Sequence, residues 1–234
     1  MRIVTWNAQH GGGARASDFA EQLVSLSPDV AVITEYRNGP TGAKIKDVLE
    51  RAGLSHFSSV STPAKLNTVL LCSRDRFEER SLDSLGDEAH RCSWARIQGL
   101  NILGFYFPQN KEKARIFDAI CALDPGVLDE QSLLIGDFNT GRHFLDERKK
   151  TFHCAEYFDR LKDIGWVDTW RTRNEEAREF SWFSNAGNGF RLDHAFASLE
   201  FNARIESVGY NHIVREAGLS DHSAMIVDVA RGKS

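Results

Sequence analysis

Hydrophobic positions along the chain form short runs separated by polar turns, and two kinds of spacing alternate. Ile3–Trp6 and "DVAVITE" (29–35) are near-continuous apolar runs of the length buried strands require. Between them Phe19, Leu23 and Leu26 recur at helical spacing. That predicts a helix over Asp18–Ser27, with Ser17 as N-cap and Pro28 as stop. A second helix is predicted over Ala43–Ala52. Strand-like runs follow in "HFSSV" (56–60), "TVLLCS" (68–73), "CSWARIQ" (92–98) and "NILGFYF" (101–107). A charged helix follows Asn110, and "SLLIGDFN" (132–139) reads as a buried strand with a polar end. A helix over Ala155–Ile164 precedes "GWVDTW" (165–170). The last third, "FSWFS" (180–184), "LDHAFAS" (192–198), "ARIESVGY" (203–210) and "SAMIVDVA" (223–230), reads as strands. Many strands with about four helices predict an α/β protein, two sheets packed face to face with helices outside. No repeat or linker interrupts the pattern, so one domain spanning 1–234 is expected.

Composition narrows the class without changing the fold. The chain is 41% hydrophobic and 26% charged, the balance of an ordinary soluble globular protein. A net charge of -4 excludes a global basic field, although a local basic patch can still steer a polyanion. There is no apolar run of signal-peptide or membrane-spanning length. Cys72, Cys92, Cys121 and Cys154 show no C-x-x-C spacing and are expected to be free thiols. The expectation is a cytoplasmic monomer with no membrane contact.

The chemistry gathers at strand ends. Ile3–Trp6 runs into Asn7, Val30–Thr34 into Glu35, Leu133–Gly136 into Asp137 and Asn139, and the Leu192 region carries Asp193 and His194. Asp221 and His222 precede a fifth strand. Strand ends converge on one rim of a sheet, where loops carry function. Ser220, Asp221 and His222 have the residue types of a hydrolase triad. As neighbours on an extended chain they point to opposite faces and cannot relay to one another. Carboxylates with an amide oxygen suit a hard cation such as Mg²⁺, and no His/Cys cluster has zinc spacing. One histidine among acids suits acid–base work or charge stabilisation. Together these types describe metal-assisted phosphoester cleavage. "HGGGAR" (10–15) lacks the P-loop signature and reads as a flexible loop beside the rim, from which Arg15 can reach a phosphate. His10, His143 and His194 read as loop or spare polar residues.

"TWN" (5–7), "TE" (34–35), "YFP" (106–108), "GDFN" (136–139), "RLDHAF" (191–196) and "SDH" (220–222) occur in the order found in the endonuclease/exonuclease/phosphatase superfamily, which the chain resembles from residue 3 to about 229. The resemblance implies a four-layer α/β sandwich of two mixed sheets. It implies Mg²⁺, with Mn²⁺ as substitute, held by Glu35 with Asn7 and Asp221. Asp137 would orient or deprotonate the attacking water, and Asn139 would hold that site. His222 would contact the scissile phosphate as base or charge stabiliser. Asp193 would fix the His222 tautomer, and Tyr106 would donate to phosphate or leaving oxygen.

Within the superfamily, the resemblance is to exonuclease-III-type and abasic-site DNA repair nucleases. It implies substrate contacts from Arg37, Gln109, Asn110 and Arg142, with Arg148, Lys149 and Lys150 close by. Trp182 and Phe190, with Leu192, match the walls of a pocket for a flipped, baseless sugar. Two departures stand out. Ser181 occupies a position where repair enzymes carry a bulky aromatic, and "AQHGGG" (8–13) replaces the expected acid or amide and single glycine, leaving Gln9 to serve. The leading expectation is a Mg²⁺-dependent DNA nuclease. A phosphatase or phosphodiesterase for inositol phosphates, lipids or RNA is the alternative, and a non-catalytic nucleic-acid-binding relative the third.

Overall fold

The computed structural model describes residues 1–230. Its strands are Arg2–Asn7 (β1), Val30–Arg37 (β2), His56–Ser58 (β3), Asn67–Ser73 (β4), Glu78–Arg80 (β5), Cys92–Ile97 (β6), Leu100–Tyr106 (β7), Ser132–Asp137 (β8), Val167–Asp168 (β9), Trp182–Phe183 (β10), Gly189–Phe190 (β11), Asp193–Ala197 (β12), Ile205–Asn211 (β13) and Ala224–Val229 (β14). One six-stranded sheet has the order β13-β14-β1-β2-β4-β3, the other β5-β6-β7-β8-β12-β9, and β10-β11 form a separate hairpin. Both large sheets are mixed: β1 pairs with β2, and β7 with β8, in parallel, while the other pairings are antiparallel. Parallel neighbours need a crossover. Helix Ala16–Ser25 supplies one and helix Ala114–Cys121 the other.

Side-chain alternation builds the four layers. In β1 and β2, Ile3, Val30 and Val32 face the opposite sheet, where they meet Ile102, Leu133, Ile135 and Ala195. Val4, Trp6, Ala31 and Ile33 face outward onto Phe19 and Leu23 of one helix and Ile45 and Leu49 of another, Pro40–Arg51. In the second sheet Leu103, Phe105 and Leu134 face outward onto Ile116, Phe117 and Phe158. A period of two that is apolar on both faces is what a strand covered on both sides requires. At ~25 cal/mol per Å² of apolar area, these three cores dominate the stabilisation.

The expected fold is therefore the observed one, with local corrections. The first helix begins at Ala16, so Ser17 lies inside it and caps nothing; Arg15 is the N-cap and makes no side-chain cap bond. The second begins at Pro40, three residues before the apolar period, because Pro is well suited to the first helical position. "FSWFS" contains only a two-residue strand. Helix Leu199–Arg204 and strand β5 were not expected. All four cysteines are free, with Cys72 and Cys92 buried. No helix among the described residues is long and apolar enough to cross a membrane.

Candidate active site

The two sheets place their strand ends at one rim, where the carboxyl ends of parallel strands offer a crevice for ligands. β8 is the centre: Asp137 lies opposite Tyr106 of β7 on one side and opposite Asp193 of β12 on the other. Gly136 permits this. Its φ is +146°, and a Cβ there would lie 2.0 Å from the Phe105 carbonyl oxygen, so the glycine before Asp137 is a packing requirement. A register shift in β2 between Ile33 and Tyr36 turns Glu35 toward the rim. Glu35 and Asn139 both adopt left-handed backbone, with φ 51° and 50°. Non-glycine residues in that region are strained, and such strain collects at functional sites.

Asp137, Asp193 and His222 are all buried. His222 Nδ1 lies 2.8 Å from Asp193 Oδ2, and its Nε2 lies 3.9 Å from Asp137 Oδ2. The backbone holds the imidazole on both sides. The Trp6 indole donates to the His222 carbonyl at 2.9 Å, and His222 N donates to Ser220 Oγ at 3.1 Å. Ser220 Oγ in turn donates to the Asn7 carbonyl at 2.6 Å, so this serine ties two strand ends together. The Tyr210 hydroxyl donates to the Asp193 carbonyl at 2.6 Å.

Asp137 accepts from Asn139 N at 2.9 Å and from Asn7 Nδ2 at 2.9 Å. The same Asn7 amide reaches Glu35 Oε1 at 3.3 Å, and the Tyr106 hydroxyl donates to that oxygen at 3.2 Å. Burial raises the Asp137 pKa well above the usual carboxylate range; His222 opposes this, while Asp193 and Glu35 add to it. Burial also disfavours the charged form of His222, but the Asp193 and Asp137 carboxylates overcome it and push the imidazole up to about 10. Burial pushes the Tyr106 hydroxyl up as well, reinforced by Glu35 and Asp137, so it stays a donor.

Above these residues opens a cleft of about 320 Å³ lined by Gln9, His10, Glu35, Tyr106, Gln109, Asn139, Phe152, Trp182, Phe190, Leu192, Asp221 and His222. Trp182 and Phe190 pair at 5.7 Å between ring centroids, and Phe152 joins Phe190 at 5.7 Å. The Trp182 indole donates to Asp221 Oδ2 at 2.9 Å, so one aromatic wall also aims an acid. Ser181 is buried; its hydroxyl accepts from Leu192 N at 3.0 Å and Asp193 N at 3.2 Å. A bulky aromatic there would break both bonds.

Among the described residues no Lys or Arg forms an ion pair with Glu35, Asp137, Asp193 or Asp221; only His10 and His222 do. A surplus of carboxylate oxygens without Lys or Arg partners fits a hard divalent cation. Glu35 and Asp221 line the cleft with carboxylate oxygens, whereas Asn7 turns its amide nitrogen to Glu35 and Asp137 and its Oδ1 accepts from Gln9 N at 2.8 Å. Asp137, Asp193 and His222 also offer atoms within 4.8 Å of one another. There the Nδ1–Asp193 contact is a hydrogen bond that an ion would have to displace.

Not every expected residue reaches the cleft. Arg142 does not: its guanidinium pairs with Asp159 at 2.6 Å, and it lines surface grooves with Leu145. Arg148, Lys149 and Lys150 are exposed beyond it. Arg37 is held by Asn67 Oδ1 at 2.7 Å, and the Asn110 side chain caps the turn at Glu112 N. Arg15 is tied to Gln9 and to the Gly218 and Leu219 carbonyls instead of facing outward. His194 is no loop residue. It lies buried in β12 against the Thr140 and Arg191 carbonyls, and burial lowers its pKa to about 4.

Three supporting residues gave no sequence signal. Arg191, fully buried, pairs with Asp146 at 2.7 Å and Asp168 at 2.8 Å and so fixes the 140–151 loop beside β12. Burial opposes ionisation of Asp146, but Arg191 holds its carboxyl well below the usual range. Lys113, on a helix-like charged run, is buried and donates its ammonium to the Asn139 carbonyl. His10 touches Glu35.

A buried Asp–His relay at the rim of two packed mixed sheets, beside an acidic cleft, defines a class of phosphoester hydrolases. The chain belongs to the Endonuclease/Exonuclease/phosphatase family, whose model matches residues 4–222. No curated protein matches it. Among solved structures it is similar to the 3′ phosphatase NExo from Neisseria bound to product DNA hairpin (TM-score 0.83, 21% identity, 99% of this chain and 100% of that one). It is also similar to an AP endonuclease from Archaeoglobus fulgidus (TM-score 0.82, 20% identity, 99% and 100%). A third is the 3′-5′ exonuclease NExo from Neisseria meningitidis (TM-score 0.83, 22% identity, 99% and 100%).

Proposed function

We propose that this chain is a Mg²⁺-dependent DNA nuclease of the exonuclease III and abasic-endonuclease type, cleaving phosphodiesters by in-line attack of water. The observation that carries the reading is the His222–Asp193 contact at 2.8 Å, with Asp137 facing the same imidazole at the floor of an aromatic-walled cleft. The raised His222 pKa argues for an imidazolium, so His222 serves as the charge that stabilises the phosphorane. Asp137, with a pKa raised toward neutrality, is the group suited to take the proton of the attacking water. Asn139, bonded to Asp137 through its backbone N–H and to the Phe107 carbonyl through its amide, fixes that carboxylate. The Tyr106 hydroxyl can donate to a phosphate oxygen. Glu35 and Asp221, with Asn7 beside them, would hold Mg²⁺, which would neutralise phosphate charge and polarise the ester. Trp182 and Phe190 offer stacking faces for a nucleotide, and such faces are sequence-tolerant.

The test is divalent dependence combined with two substitutions. Activity on DNA should vanish in excess chelator, return with Mg²⁺, and be lost in Glu35→Gln and His222→Ala. Full turnover in chelator, or undiminished activity in either variant, contradicts the reading.

A further inference from the structure

We infer that His10 is a direct ligand of the active-site cation, giving the site a nitrogen donor that favours Mn²⁺ and later first-row ions over Mg²⁺. This rests on the reading that Glu35 holds a cation, and goes beyond it in naming a ligand and a metal preference.

The loop bearing His10 is built to hold it in place. Gln9, His10, Gly11, Gly12 and Gly13 are consecutive residues with positive φ, from 47° to 78°. Two of the five are not glycine, so the conformation is strained and needs support. Support comes from both ends. Gly12 N donates to the Ala8 carbonyl at 2.7 Å, and Arg15 donates to Gln9 Oε1 at 2.6 Å. A Cβ on Gly11 would lie 3.0 Å from Arg37 Cβ, so the loop packs directly on β2. His10 N donates to Glu35 Oε2 at 2.7 Å, which anchors the residue to the carboxylate it faces.

The side-chain contacts then bring a ring nitrogen and a carboxylate oxygen together. His10 Nδ1 lies 2.8 Å from Glu35 Oε2 and 3.2 Å from Asn67 Nδ2. Arg37 Nε donates to Asn67 Oδ1 at 2.7 Å, which fixes the Asn67 amide with its NH₂ toward His10. Unlike His222 Nδ1, which meets only Asp193, His10 Nδ1 faces a donor as well as the carboxylate, and the Nε2–H form of the ring presents a lone pair to both. In that form the nitrogen and the Glu35 oxygen converge across 2.8 Å as two donor atoms for one cation. Two ligands at right angles on an ion with ~2.1 Å bonds are about 3 Å apart, which matches this separation. The Tyr106 hydroxyl on the other Glu35 oxygen leaves Oε2 as the one turned toward His10. An imidazole nitrogen adds affinity for first-row ions, least for Mn²⁺ and more for Co²⁺ and Zn²⁺, whereas Mg²⁺ takes oxygen and water.

The experiment uses the whole DNA-free protein loaded with Mn²⁺ and read by pulsed electron paramagnetic resonance, with calorimetric titration of Mn²⁺ and Mg²⁺ on wild type, His10→Ala and His10→Gln. Circular dichroism controls for folding. Wild type should show nitrogen coupling to Mn²⁺ that both variants lose. Mn²⁺ affinity should fall at least about tenfold, the size of effect a disturbed ligand shell produces, while Mg²⁺ affinity changes less. Absence of nitrogen coupling in wild type, coupling that persists in both variants, or an unchanged Mn²⁺/Mg²⁺ ratio overturns the role of His10 and leaves the cation at Glu35 standing. Failure of wild type to bind either ion overturns both.

Discussion

Asp193→Asn isolates the relay from the rest of the site. The substitution keeps shape and removes one charge from a side chain that is wholly buried. Asp193 Oδ2 contacts His222 at 2.8 Å, and Oδ1 has no hydrogen-bond partner, so the imidazole is the carboxylate's main compensation. Asp193 is also the largest influence raising the His222 pKa; Asp137 at 3.9 Å comes next. Without it the largest raising influence is gone and the imidazole pKa falls, with Asp137 and Asp221 still opposing burial. A hydrogen bond to a charged group contributes ~1.5–3 kcal/mol, so kcat should fall by roughly one to two orders of magnitude. KM should change little, because the relay meets the reacting phosphate and not the bound strand. The sign of the pH effect follows. The wild-type imidazole stays protonated up to about 10, so activity shows no alkaline loss near neutrality. In the variant the alkaline loss of activity moves to lower pH. Steady-state kinetics on labelled duplex across pH, with the His222 Cε1 proton followed by NMR, measure both. An unchanged kcat with an unchanged profile refutes the orienting role of Asp193.

Gly136→Ala should prevent folding or cost more than about 4 kcal/mol, because the new Cβ meets the Phe105 carbonyl at 2.0 Å; a wild-type melting temperature would contradict this. Acid stability should carry a His194 signature. Its folded pKa is lowered to about 4 by burial and by Arg191, so this contribution is complete above the unfolded value of ~6.5 and is lost as pH falls through 4. The loss approaches ~3 kcal/mol. Urea unfolding at neutral and acid pH should show wild type losing that much more than His194→Gln, and parallel losses in the two proteins would refute it.

The rim was legible because buried strands that end in Asn7 and Asp137, shift register at Glu35 or begin at Asp193 write polar residues into an apolar pattern. The alternation along β1, β2, β7 and β8 likewise carried the layers. What escaped depended on long-range contacts. Lys113 sits in a charged run that looks solvated, and only the fold buries it against Asn139. Arg191 is one residue of a motif whose acid was noticed, while its partners Asp146 and Asp168 lie 45 and 23 positions away. Arg142 follows the GDFN strand closely, yet its side chain turns to Asp159. His10 does lie in a loop, as expected, but only the fold brings it against Glu35. Ser181 looked like a missing aromatic, although its hydroxyl bonds two backbone amides beside Asp193.

The most direct measurement of the central claim is one substrate panel in Mg²⁺. It would compare abasic duplex, 3′-recessed duplex, 3′-phosphorylated duplex, single-stranded DNA, RNA and inositol phosphates, with His222→Ala as control. Cleavage of a DNA phosphodiester leaving a 3′-hydroxyl and a 5′-phosphate, lost in the variant, is the predicted result. Preference for a soluble inositol phosphate, or binding of DNA without turnover, would contradict it.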